Sequence, residues 1–230
     1  MKPTSRLPKP AMILAGIILL SAGCMTPKKI DRWASQHYAT AITPPRKTDY
    51  ITIKDASFVQ GDSPSTTEKK KGKMLPLLFY WKWKLGTHTE LQQNVPATVF
   101  ASAMIPYANS KRLKQKLDGQ RIEITIDEVP SGFSIMDEGW LVFLIFGSVH
   151  NEVMYIDPDV KNMAVSYRVM KDNVETRIGK VSVADLNKAV DFRMFKSAKK
   201  TFFEYLDKYN SNIQMMAKET VDKIMADMAL

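Results

Sequence analysis

Residues 75–85 read LPLLFYWKWKL, and their side chains alternate between the two faces of an extended chain. The residues on one face are Leu77, Phe79, Trp81, Trp83 and Leu85. Those on the other face are Leu78, Tyr80, Lys82 and Lys84. A period of two is that of a strand with one buried face, so we predict a half-buried strand whose aromatic face covers the core. The same alternation would also suit a surface that binds nucleic acid or lipid headgroups.

Other stretches around this segment also have strand patterns. They are residues 50–53, 121–129, 140–146, 153–156, 164–170 and 175–181. In residues 121–129, isoleucines alternate with polar residues, which indicates one wet face. The run WLVFLIF at residues 140–146 is apolar throughout and predicts a central strand that is buried on both faces.

A long apolar stripe follows from residue 182 to the end of the sequence. Its members recur every three or four residues: Leu186, Val190, Met194, Ala198, Phe202, Leu206, Tyr209, Ile213, Met216, Thr220, Ile224 and Met228. This spacing predicts a helix, which Ser182 and Asp185 would begin. Asn210, Ser211 and Asn212 would either divide it into two helices or lie within a single one. The predicted fold is therefore α+β, with an antiparallel or mixed sheet of about five or six strands, helices packed on one face and a long C-terminal helix.

Two surfaces of the predicted helices are candidates for binding. A C-terminal helix longer than the sheet must have a stretch without its own core, so we expect Tyr209, Ile213, Met216 and Ile224 either to pack internally or to bind a partner protein. A shorter helix within residues 96–117 carries a basic face. Its candidate contacts for an anionic surface are Lys111, Arg112, Lys114 and Lys116.

The N-terminus has the pattern of an export signal. The first ten residues include Lys2, Arg6 and Lys9 and no acid, and the apolar run AMILAGIILL at residues 11–20 is too short to span a bilayer. The sequence Ser21-Ala22-Gly23-Cys24 follows, and Cys24 is the only cysteine. This segment resembles the lipobox of bacterial lipoproteins, which implies cleavage between Gly23 and Cys24 and acylation of Cys24, for example with palmitate.

The lipobox resemblance divides the chain into a signal peptide (residues 1–23), an acylated N-terminus and tether (24–48) and a single α+β domain (49–230). Within the tether, residues 30–38 form either a short helix, with Trp33 and Tyr38 at the bilayer interface, or part of a plain disordered linker. Residue 25 is Met and not Asp, which by the same resemblance favours the outer membrane. We therefore expect a periplasm-facing protein that contacts the membrane through acylated Cys24. Export also excludes nucleic acid as a partner.

The sequence has no recognised catalytic or metal-binding motif. It lacks a nucleophile elbow, a glycine-rich phosphate loop and an HExxH motif. We therefore expect no cofactor, no metal and no catalytic residue, although Asp137, Glu138, Asp157 and Asp159 would be candidates if they gathered in a cleft.

Three functions remain open from the sequence. The first is a non-catalytic binding or assembly module that contacts an envelope membrane protein. A lipobox followed by an α+β body is similar in layout to small lipoproteins that assist envelope transport machines, such as the lipopolysaccharide-assembly lipoprotein and the auxiliary lipoproteins of lipid-transport ABC systems. The alternatives are an enzyme that acts on envelope glycan or lipid and a structural lipoprotein that contacts peptidoglycan through its basic surface.

Overall fold

The computed structural model describes residues 25–39, 46–55, 63–193 and 195–229. The signal peptide, the lipobox and Cys24 lie outside the described residues. The helices are α1 (Pro27–Tyr38), α2 (Asn94–Ser110), α3 (Leu113–Lys116) and α4 (Ala198–Asp227). The strands are β1 (Ile51–Asp55), β2 (Ser65–Pro76), β3 (Tyr80–Leu91), β4 (Arg121–Glu128), β5 (Gly132–Leu144), β6 (Gly147–Pro158), β7 (Met163–Lys171), β8 (Val174–Val183) and β9 (Val190–Asp191).

These strands form two sheets. One has four strands in the order β1-β4-β7-β8, and the other has five in the order β2-β3-β5-β6-β9. Only β1 and β4 pair in parallel, so the first sheet is mixed and the second is antiparallel. The predicted α+β class and the long C-terminal helix are confirmed. The described residues hold more strands than expected, because they build two sheets instead of one.

The four-stranded sheet carries the larger part of the core. Ile122, Ile124 and Ile126 of β4 are buried, while the polar residues between them face outward, as the alternation predicts. Helices α2 and α4 pack against each other, and α4 also contacts β7 and β8 of this sheet. Lys54 and Glu123 form an ion pair of 2.7 Å on the opposite, wet face.

Helix α4 is a single helix of 30 residues, about 45 Å long at 1.5 Å per residue. It begins later than predicted: the side chain of Ser197 accepts a hydrogen bond from the N–H of Lys200 and caps it. Val190 belongs to strand β9. Asp185 lies before the helix, where it is buried and accepts a hydrogen bond of 2.7 Å from Asn212. Asn212 therefore stays within the helix and does not end it.

The segment expected to act as a tether contributes to the core. Helix α1 buries Ile30 and Ala34, and Trp33 packs against Phe202 of α4 with 5.9 Å between ring centroids. Tyr38 donates a hydrogen bond of 3.1 Å to Asn210. The short helix is thus present, but Trp33 and Tyr38 contact the protein and not a bilayer interface.

The five-stranded sheet has a covered half and an uncovered half. Phe133, Ile135 and Ile156 are buried where the sheet packs on the body. Beyond them, residues 69–87 of β2 and β3 and residues 137–153 of β5 and β6 form a projection, which we call the arm. No arm residue is buried. The prediction that residues 140–146 are buried on both faces is therefore wrong, although β5 is the central strand of its sheet.

Candidate functional site

The residues predicted to bind a partner through the C-terminal helix belong to the protein's own core. Tyr209, Ile213, Met216 and Ile224 each expose 2% or less of their surface. The hydroxyl of Tyr209 donates a hydrogen bond of 2.6 Å to the carbonyl oxygen of Pro130, and burial raises its pKa well above the usual value. The structure therefore corrects the prediction: α1, α2 and strands of both sheets pack on α4, and these four side chains are buried in the core.

The predicted basic face is exposed, and two of its four residues pair with acids. Lys111 forms an ion pair of 3.1 Å with Asp222 of α4, and Lys114 pairs with Asp49. Arg112 is exposed in a left-handed backbone conformation at the start of α3. Lys116 lines a depression of about 320 Å³ together with Arg177. These contacts join α2 and α3 to neighbouring elements, and they reduce the positive charge left for an anionic surface.

The four candidate carboxylates do not form one cleft. Asp137 and Glu138 point to opposite faces of β5, because they are neighbours on a strand. Asp137 accepts a hydrogen bond of 2.9 Å from the Trp83 indole. Asp157 and Asp159 line a depression of about 500 Å³ on the outer face of the sheet, together with lysines 70, 71, 73 and 84.

Glu138 is held in its charged form. Its carboxylate lies 2.6 Å from the Lys84 ammonium and accepts a hydrogen bond of 2.6 Å from the Tyr155 hydroxyl. The hydrogen bonds from Lys84 and Tyr155 hold the pKa of Glu138 below its usual value. A general acid in a glycosidase needs the opposite shift, so this environment does not suit that role.

Ser134, His88 and Asp159 lie close together on the outer face, but their geometry is not that of a catalytic triad. The Ser134 hydroxyl lies 3.4 Å from Nδ1 of His88, and the Asp159 carboxylate lies 3.5 Å from the same nitrogen. In a triad, the acid and the nucleophile bond to different ring nitrogens. Ser134 also accepts a hydrogen bond of 2.6 Å from Lys70. Within the described residues, no group of three or more histidine, cysteine or acidic side chains is placed to hold a metal ion.

The arm consists of two hairpins side by side. The backbone N–H of Phe143 donates a hydrogen bond of 2.8 Å to the carbonyl oxygen of Phe79, so the two hairpin ends lie next to each other. The Trp81 and Phe143 rings meet edge to face with 5.6 Å between centroids. Strands β2 and β6 each have 12 residues and reach about 40 Å at 3.3 Å per residue. The hairpin ends therefore lie far from the body.

The end of the arm is apolar and open to solvent. We define the tip as residues 77–79 and 144–146. Leu78, Ile145 and Phe146 expose 84%, 92% and 100% of their surface, and the other three tip residues are also exposed. Exposed apolar side chains continue behind the tip on both faces of the sheet: Met74, Leu75, Trp81, Leu85, Phe143, Val149 and Val153. Contiguous apolar surface of this kind marks a binding surface.

Basic residues lie behind the apolar tip. The arm contains six lysines, at positions 69, 70, 71, 73, 82 and 84, and three acids, Asp137, Glu138 and Glu152. Lys82 and Lys84 are exposed, and each is three to five residues from Phe79 along β3. The arm therefore combines an apolar end with a net positive stem.

The composition of the two hairpin turns could have indicated the exposed tip from the sequence. Hairpin turns usually contain glycine, asparagine, aspartate or proline. Here, residues 77–79 are Leu-Leu-Phe and residues 144–146 are Leu-Ile-Phe. A turn lies at the end of its two strands, away from the core that the strands cover. Apolar residues in such a turn therefore indicate a hairpin end that is exposed to solvent.

The chain has no significant match to a protein-family model, to a curated protein or to a solved structure. Among the described residues, no helix is both long and apolar enough to span a bilayer.

Proposed function

We propose that this protein is a lipoprotein, anchored through acylated Cys24 and facing the periplasm from the outer membrane, and that its body is a non-catalytic binding or assembly module of the cell envelope. The arm is the binding element of this module. The observation that supports the proposal is the exposed apolar tip. Leu78, Ile145 and Phe146 are almost wholly exposed, whereas the arm acids Asp137 and Glu138 are held by Trp83 and by Lys84 and Tyr155.

The anchor part of the proposal rests on the sequence Ser21-Ala22-Gly23-Cys24. Acyl chains contribute about 0.8 kcal/mol for each buried methylene, so two or three chains make a lasting anchor. We expect Cys24→Ala either to leave the precursor uncleaved or to release the protein from membranes. Membrane fractionation and the mass of the purified protein test this directly. A Cys24→Ala protein that is processed normally and stays in the membrane fraction would contradict the anchor.

The binding part is tested by site-specific photocrosslinking in cells. A photoreactive residue replaces Ile145 at the tip in one variant and Val174 in the control variant. Val174 is exposed at the first position of β8, next to the turn from β7 and outside the arm. We expect a lipid or protein adduct from position 145 and none from position 174. Equal labelling at both positions, or no adduct at position 145, would contradict the arm as the binding element.

A further inference from the structure

We propose that the tip of the arm inserts into a phospholipid bilayer that contains anionic lipids, and that this is the membrane in which Cys24 is anchored. The inference rests on the proposed function, because it names what the arm binds. Three features of the described residues support it: the order of side chains along the arm, the exposure of both faces near the tip, and the position of helix α1 beside the base of the arm.

The order of side chains along the arm matches the order of zones in a bilayer interface. The tip is apolar, Trp81 follows two residues after Phe79, and Lys82 and Lys84 follow three and five residues after it. At about 3.3 Å per residue, these positions lie roughly 7, 10 and 17 Å behind Phe79. Interfacial elements bury apolar groups about 5–10 Å deep, tryptophan is enriched at headgroup level, and lysine attracts anionic headgroups.

Apolar side chains are exposed on both faces of the arm, which favours a ligand that surrounds the arm over one that binds a single face. Met74 and Phe143 are exposed on the face that continues the core side of the sheet, and Leu75 and Val149 are exposed on the opposite face. A flat protein interface would cover one of these faces. A bilayer covers both faces and the hairpin ends at once, and the lysines complement its negative charge.

Helix α1 lies beside the base of the arm. At its C-terminal end, Tyr38 donates a hydrogen bond to Asn210 of α4, and the His37 ring lies 5.1 Å from that of Phe203.

In the N-terminal half of α1, the Asp31 carboxylate accepts hydrogen bonds of 2.7 Å from the hydroxyls of Ser65 and Thr67, at the start of β2. Strand β2 continues from there into the arm, which begins at residue 69. Only Met25 and Thr26 separate Cys24 from α1.

The test uses the mature, acylated protein in vesicles. Acylation consumes the thiol of Cys24, so Phe146→Cys introduces the only free thiol for an environment-sensitive fluorophore. Val174→Cys supplies the matched control outside the arm. Both labelled proteins are reconstituted into vesicles of phosphatidylethanolamine with phosphatidylglycerol and into vesicles of phosphatidylcholine alone. Flotation and the acyl mass report the anchor, while fluorophore emission and quenching by lipid-bound quenchers report insertion.

We expect a blue shift and lipid quenching at position 146, stronger in the anionic vesicles and weaker at high salt, with neither effect at position 174. A Leu78→Asp substitution in the Phe146→Cys background should abolish the shift without changing the circular dichroism spectrum, because Leu78 is exposed. Protein that floats with the vesicles but keeps a water-exposed label at position 146 would overturn insertion and leave the anchor intact. A protein adduct without a lipid adduct at position 145 in the cellular crosslinking would likewise overturn the bilayer as ligand.

Discussion

Phe143 and Phe79 are joined through their backbones, because the N–H of Phe143 donates a hydrogen bond of 2.8 Å to the carbonyl oxygen of Phe79. This bond lies at the far end of the pairing between β3 and β5, beyond the pair Tyr80 and Val142. The two hairpins therefore reach the tip as one four-stranded unit. A change that disturbs their pairing should displace both apolar ends together.

Gly139 tests this coupling, because it lies in the middle of the arm. A Cβ at this position would collide with the Trp83 ring and would lie 2.7 Å from the carbonyl oxygen of Asn151. We expect Gly139→Ala to destabilise the arm by about 1–3 kcal/mol and to change the near-ultraviolet signal of tryptophan. The control is Gly147→Ala, whose added Cβ meets no atom within 4 Å. Similar spectra for both variants would contradict the close packing of Trp83.

The tip should be dispensable for stability, whereas the base of the same strand should not. Phe146 is fully exposed, while Phe133 exposes 1% of its surface and contacts Phe202 and Tyr205. We expect Phe146→Ser to change the free energy of unfolding by no more than about 0.5 kcal/mol. Phe133→Ala should lower it by about 3–5 kcal/mol. Urea unfolding measures both. A large loss from Phe146→Ser would mean that the tip packs against the body.

The hydrogen bond between Asn212 and Asp185 should fix the segment that leads into α4. Asp185 is buried and also accepts a hydrogen bond of 3.0 Å from the backbone N–H of Asn187. Asn212→Leu removes one partner of a buried carboxylate, and we expect a loss of about 1–3 kcal/mol in urea unfolding. Gln214→Leu on the exposed side of α4 is the matched control and should have little effect. Equal losses in the two variants would refute a specific role for the bond.

His37 should make the docking of α1 depend on pH. Burial lowers the pKa of His37 below its usual value of 6.5, and the nearby Asp207 only partly opposes this effect. Because the pKa is lower in the folded state, the unfolded chain binds more protons between the two values. Stability from this group is therefore present above about pH 6.5 and is lost as the pH falls through the folded pKa.

The measurement is the urea midpoint at successive pH values between neutral and mildly acidic. The wild-type midpoint should fall across this range, and His37→Gln should fall less, because the substituted side chain does not titrate. His150→Gln serves as the control, since His150 is exposed on the arm. If His37→Gln retained the full wild-type pH dependence, another group would be responsible.

The local patterns predicted most elements, but they could not predict which parts of an element are covered. The alternation of residues 121–129 predicted β4 and its buried face correctly, because a strand at the centre of the body meets the core along its whole length. The same alternation in residues 75–85 predicted one half-buried strand, and this prediction is wrong: β2 ends at Pro76, residues 77–79 form the tip, and β3 begins at Tyr80. Trp81, Trp83 and Leu85 do share one face of β3, but the arm projects past the body and none of the three is buried.

The apolar stripe of the C-terminal helix also predicted an element without predicting what covers it. Its spacing predicted that Tyr209, Ile213, Met216 and Ile224 share a face, and the structure places all four in the core. The predicted length of the C-terminal helix suggested that part of its apolar face had no internal partner. In the structure, elements from distant parts of the chain cover that face. One of them, α1, lies in a segment whose prolines and lysines favoured a tether. Spacing along one helix contains no information about such partners.

The hydrogen bond between Tyr38 and Asn210 joins residues that are 172 positions apart. Helix α1 therefore packs against α4, which is near the end of the chain. The apolar face of α1 stays exposed until α4 has been synthesised. Contacts of such long range slow folding and postpone it to a late stage. A chain that cannot complete its core early remains unfolded while it is being made. The export that we propose would benefit from this delay, since a secretion channel accepts chains that have not yet folded.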